Sequence, residues 1–347
     1  MSNSEDKKAE FGKELEEWTR EESTIQSLEE ENRANRIKKE NERNKFMTQG
    51  LKSLDALDPV SLFTQKYNGE EDLALDIEAR EDALLNRPFI DSKFQEYCKV
   101  ARHQLYVFVA AQKQGKSTFA ANIAWGLYKE KRKVLFITNE ELKKDVLGRI
   151  ACIDLGINYN NHIFGKTTAE ESEKIHEQRK VVAEYVHVIS EAEADTKDAD
   201  VVEKLIRAAP GQDYEIILLD YITKIHKATK ASYTSDWQAQ EPLWYFLDSA
   251  KKIKGMPCIT VFAQCLPKSS KNPAPLKERI EGRKLATNFG TGIFEIVKDK
   301  KNGTTIIDIH ATRWYTGTDE HIFRFNKGKL ESMDYDQYIQ HLVDQED

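Results

Sequence analysis

The segment AAQKQGKST, residues 110–118, places a glycine, a lysine and a hydroxyl side by side at the start of an apolar-periodic run. That trio suits phosphate chemistry. Backbone N–H groups at a helix N-terminus are unpaired and sit at the positive end of the dipole, so they bind phosphate oxygens. Gly115 lets the backbone approach closely, Lys116 can reach terminal phosphates, and the Ser117 hydroxyl can hold Mg²⁺. Ala111, Gln112, Lys113, Gln114, Gly115, Lys116, Ser117 and Thr118 form the candidate nucleotide cradle. The pattern G-x-x-x-x-G-K-[ST] has Ala110 at its first position, and a small residue suffices there if φ is negative.

Other groups could complete such a site. Asp220 ends the apolar run IILLD, where a carboxylate can hold Mg²⁺ through its water shell. Glu140 and Glu141 end KVLFITNEE, and an acid facing a terminal phosphate could orient and deprotonate water. Gln264 ends ITVFAQ and offers a neutral donor that could sense the same phosphate. A loop broken by prolines, PKSSKNPAPLKERIEGRK, carries Lys277, Arg279, Arg283 and Lys284, candidates for contacts to a nucleic-acid backbone. A second loop, HKATKASYTSDWQAQ, adds Trp237, which could stack on a base or simply pack. The histidines and cysteines have no metal-ligand spacing.

These residues need elements to position them. LYVFVA reads as a buried strand and KSTFAANIAWGLYKE as an amphipathic helix. KVLFIT, HVI, EIILLDY and PCITVFAQ read as further strands. Between them, ELKKDVLGRIACIDLG, DADVVEKLIRAA and PLWYFLDSAKKIKG read as helices. Such alternation predicts an α/β domain over 101–335, a mostly parallel sheet with helices on both faces. GIFEIV, TTIIDIHAT and HIFRFN lie close together and predict an antiparallel finish, with 336–347 as a tail. Upstream, residues 1–48 are dense in charge, and Phe11, Leu15, Trp18 and Ile25 fall at helical spacing, so a charged helical arm is expected there. Residues 49–100 read as a connector punctuated by Pro59 and Pro88.

The net charge of −7 argues against nucleic acid wrapping the whole surface and leaves room for a local basic channel. Four cysteines without a CxxC pair fit a reducing compartment. The polar start is not a signal peptide, and no apolar run approaches the roughly 20 residues that span a bilayer. A cytoplasmic protein without a membrane partner is the expectation.

The loop AAQKQGKST, with alanine first, resembles that of the DnaB-type replicative helicases. KVLFITNEE is similar to that family's second strand, EIILLDYITKI to its Walker B strand, KIKGMPCITVFAQ to its sensor unit, and IIDIHATRWYTG to its arginine-bearing turn. The resemblance covers roughly residues 100–330 and implies a RecA-like P-loop ATPase core that uses ATP and Mg²⁺. It favours Glu140 over Glu141 as the water-activating acid, makes Gln264 a sensor, and makes Arg313 a finger reaching a neighbouring subunit. Ala311 stands where the family carries a lysine, and Lys298, Lys300 or Lys301 are candidates to compensate. It further implies a hexameric ring acting on single-stranded DNA in replication, with a primase as a partner. Without a counterpart of the family's helical N-terminal domain, a phage or mobile-element source in a bacterial host's cytoplasm fits. Two rival readings remain: an accessory ATPase that binds DNA or a replication partner without unwinding, and a nucleotide-dependent oligomeric scaffold.

Overall fold

The computed structural model describes residues 90–344 except 92, 95, 96, 99, 227–235, 268–273, 281–288, 300 and 313–318. The expected arm and nearly all of the connector lie outside the described residues.

Chain alternation builds one nine-stranded sheet. The strands are β1 (Leu105–Ala110), β2 (Lys133–Thr138), β3 (Val186–Ile189), β4 (Tyr214–Asp220), β5 (Cys258–Gln264), β6 (Gly292–Asp299), β7 (Thr304–Thr312), β8 (Asp319–Asn326) and β9 (Lys329–Met333). Their order is β3-β2-β4-β5-β1-β6-β7-β8-β9. Pairing is parallel from β3 through β6 and antiparallel from β6 to β9. The expected RecA-like α/β core with a mostly parallel sheet is therefore present.

Every residue of β1 is buried, because the sheet is covered on both faces. Tyr106, Phe108 and Ala110 join one core, and Leu105, Val107 and Val109 join the other. The first core is closed by α1 (Lys116–Lys129) and α2 (Lys143–Leu155), through Phe119, Ile123, Val146 and Ile150. Two further helices, α3 (Tyr159–Ile163) and α4 (Ala169–Ala183), occupy a stretch where no element was predicted. The second core is closed by α5 (Ala199–Arg207) and α6 (Asp236–Ala250), through Val202, Ile206, Leu243 and Leu247. Each buried aliphatic side chain of this kind contributes on the order of 1.5–3 kcal/mol before entropy is counted.

Other elements also depart from expectation. Helix α6 starts before Pro242 and encloses it, at the cost of one intrahelical N–H. The loop after β5 contains a single helical turn, α7 (Leu276–Arg279). The predicted tail forms α8 (Tyr335–Val343), capped by Asp334 with Gln337.

Candidate functional site

The cradle begins where β1 ends. Positive φ falls on Lys113 (64°) and Gly115 (94°), and Ala110 is not among the residues that need it, so alanine fits the first motif position. Gly115 caps α1 without any side-chain hydrogen bond, which leaves the first-turn N–H groups for a ligand. Gln114 Oε1 accepts from Lys298 N at 2.8 Å and ties the loop to β6. Lys116 is buried, with Nζ 5.2 Å from the Tyr221 ring centroid.

Parallel register brings the strand ends together. Ala110 lies opposite Gln264, and Thr138 lies opposite Asp220. Ligands of such sheets bind beyond the carboxyl ends of the strands. A cavity of about 840 Å³ opens there, bounded by Gly115, Lys116, Glu140, Arg149, Lys224 and Gln264, among others. Its outer wall holds Ile153, Phe325 and Gly328. Asn122 sets that wall. Its Nδ2 donates to Thr118 O and Gly328 O, and its Oδ1 accepts from Leu330 N, all at 2.8–2.9 Å.

The three acids differ in their surroundings. Asp220 is 1% exposed, and neither carboxylate oxygen has a hydrogen-bond partner among the described residues. Burial pushes it up to about 7, although the Ser117 hydroxyl is near enough to favour the charged form. Glu141 is raised by burial and held by Arg149, which also lies 4.5 Å from the Tyr159 ring centroid. Glu140 is more open and pairs with Lys224 Nζ at 2.7 Å. Asn139 joins the two acid-bearing strand ends: its N–H donates to Asp220 O at 3.1 Å and its Nδ2 to Tyr221 O at 2.9 Å.

The structure thus brings Lys116, Ser117, Glu140 and Gln264 to one cavity, with Asp220 buried beside Ser117. Tyr221, which follows Asp220 in the Walker B-like run, belongs to the same neighbourhood, as do Asn139, Arg149 and Lys224, which were missed from sequence. Arg313, Arg283 and Lys284, the Lys277 side chain and the Trp237 side chain lie outside the described residues.

Arg279 lies in the interior, not on the nucleic-acid surface expected for it. It is 2% exposed and cannot meet a nucleic-acid backbone. Its guanidinium forks onto Glu295 at 2.6 and 2.7 Å and donates to Leu266 O and Ala274 O. Burial would raise Glu295, but His310 and Arg279 outweigh it and hold the carboxyl at about 2. Glu295, Asp308 and His310 lie close enough together to suggest a cation site, yet both Glu295 oxygens are already taken by Arg279.

The family model of the DnaB-like helicase C terminal domain matches residues 94–241, the stretch that carries the cradle, Glu140 and Asp220. That stretch of the chain is similar to the DnaB-like helicase C terminal domain, and the match covers less than half of the chain. Two solved structures share the fold. One, described as an ATPase domain, is 12% identical, with TM-score 0.63, covering 78% of this chain and 100% of that one. A DnaB-like replicative helicase, described with its interactions with primase, is 13% identical, with TM-score 0.62, covering 78% and 68%. No curated protein matches the chain in sequence. The fold and the cradle are of the P-loop NTPase type, and no helix among the described residues is long and apolar enough to cross a membrane.

Proposed function

We propose that the DnaB-like domain is an ATP-driven motor that acts on single-stranded DNA as part of a ring, in replication. The observation that carries the nucleotide chemistry is Asp220. A buried carboxylate with two unpartnered oxygens, next to the Ser117 hydroxyl and the cradle, is stabilised in its charged form by a cation. The residues therefore fit Mg²⁺, with Ser117 and Asp220 as its protein partners. Bound there, the ion would neutralise charge on the phosphates.

The chain's own groups supply the rest. Gly115, Lys116 and the first-turn N–H groups hold the phosphates. Glu140 accepts a proton from water as its oxygen adds to the terminal phosphorus. The bridging oxygen of the leaving diphosphate takes the electrons of the broken P–O bond. Gln264 faces the terminal phosphate from β5, and the wall of Ile153 and Phe325 is apolar enough for a nucleobase. Arg313 acts as a finger in a neighbouring subunit's site. Lys277, Arg283 and Lys284 contact the DNA backbone, so binding weakens as salt rises. A hexamer, a primase partner and a bacterial host's cytoplasm complete this reading.

The experiment is steady-state ATP turnover with and without single-stranded DNA, with oligomer size and strand displacement measured in parallel. Stimulation by DNA, a ring and displacement support the motor. Stimulation without displacement supports the accessory reading, and turnover indifferent to DNA supports the scaffold.

A further inference from the structure

Lys224 lines the cavity, and the motor reading gives it no task. It ends a short 3₁₀ turn, Ile222–Lys224, directly after Asp220 and Tyr221. That turn is held from three sides. Thr223 Oγ1 accepts from Gln264 N at 3.0 Å, Thr223 O accepts from Gln240 Nε2 at 2.6 Å, and Tyr221 O accepts from Asn139 Nδ2 at 2.9 Å. The backbone of Lys224 is therefore fixed relative to β2, β5 and α6.

The side chain reaches into the cavity and meets two groups. Its ammonium is 2.7 Å from Glu140 Oε1 and 5.3 Å from the Tyr221 ring centroid. Lys116 Nζ sits 5.2 Å from the same centroid. Two ammonium groups thus converge on one aromatic ring, and one of them belongs to the phosphate cradle.

We infer that Lys224 is a second, same-subunit ligand of the terminal phosphate, and that it is exchanged between that phosphate and Glu140. The inference rests on the nucleotide-site reading above. Without nucleotide, Lys224 neutralises Glu140. The side chains are 46% and 34% exposed, and an open ion pair of this kind is held weakly. A terminal phosphate carries more charge than a carboxylate and offers three oxygens, so it displaces Glu140 from the ammonium. The freed carboxylate then faces water instead of a lysine. A diphosphate lacks the group that would trigger the exchange. Lys224 thereby reports which nucleotide is bound and places positive charge beside the transferred phosphoryl group. Its position on the pinned 3₁₀ turn ties that report to Gln264.

The test compares Mg²⁺-dependent binding of ADP and of a non-hydrolysable ATP analogue to wild type, Lys224→Met and Lys224→Arg in the full chain. Thermal unfolding checks that each variant folds, and the exposed site of the change favours this. Lys224→Met is expected to weaken the triphosphate about tenfold or more, the usual scale for a lost charge-assisted contact. ADP affinity should stay within about twofold, and Lys224→Arg should recover most of the triphosphate affinity. Equal weakening of both nucleotides would overturn the inference, because a structural effect on the site does not discriminate by the terminal phosphate. No weakening of either would overturn it too. A wild type that binds neither nucleotide, or a Lys116→Ala variant that binds both normally, would remove the nucleotide-site reading and this inference with it.

Discussion

Asp220 and Glu295 are both buried acids on strands of the same sheet, and their surroundings are opposite. Glu295, in the interior of β6, receives two hydrogen bonds from Arg279 and faces His310, and its carboxyl is held at about 2. Asp220, at the carboxyl end of β4, has no hydrogen-bond partner among the described residues and is pushed up to about 7. Charge buried with its counter-charge is a fastening. Charge buried without one is unfavourable, and a cation relieves it. The first condition organises the base of the basic loop, where Arg279 also gathers Leu266 O and Ala274 O. The second suits the cation ligand proposed for Asp220.

The largest expected effect breaks the functional side of this contrast without touching the structural side. Glu140→Gln should lower ATP turnover by on the order of 10²–10⁴-fold, with nucleotide binding and melting temperature retained. Normal turnover in this variant together with a dead Glu141→Gln would move the base by one residue.

The structural side breaks differently. Arg279→Met leaves the buried Glu295 with only His310 beside it, so unfolding free energy should fall by up to roughly 3–5 kcal/mol. Adding Glu295→Leu should recover much of that loss, as measured by denaturant unfolding. An Arg279→Met protein of unchanged stability that loses DNA binding would restore Arg279 to the nucleic-acid surface.

A smaller effect sharpens the comparison through pH. An acid whose folded value is raised favours the protonated folded state. Asp220 therefore lowers stability progressively as pH rises from about 4 to about 7, and its full cost remains above that range. Without divalent cations, Asp220→Asn should melt higher than wild type at pH 8 and close to it at pH 4. Glu295 has the opposite sign. Its depressed value adds stability above about 4.5 that is lost as pH falls toward 2. A melting difference between Asp220→Asn and wild type that does not change with pH would contradict the unpartnered state of this carboxylate.

How far the sequence carried the reading depends on where each interaction closes. Lys116, Ser117, Asp220 and Gln264 were legible because each ends or follows an apolar run, and in a parallel sheet strand ends converge. Arg279 was not legible. Its partner Glu295 lies beyond a loop, and a run of basic residues does not reveal which member is taken into the core. Lys224 and Arg149 were hidden for the same reason: each meets an acid that only folding brings near. Helix α4 buries only Ile175 and Val182, too sparse a stripe for periodicity, although its Thr168–Glu171 capping box was readable. Strand β9 escaped because the two-residue turn before it, Lys327–Gly328, has both φ values positive (47° and 98°), and the lysine concealed a hairpin signal.

The most direct test of the central claim, that Asp220 serves a cation beside bound phosphates, is the Mg²⁺ dependence of binding by a non-hydrolysable ATP analogue to wild type, Asp220→Asn and Glu295→Gln. Affinity should rise with Mg²⁺ in wild type and in any folded Glu295→Gln protein, and be nearly flat in Asp220→Asn. The same Mg²⁺ dependence in Asp220→Asn as in wild type would contradict that claim.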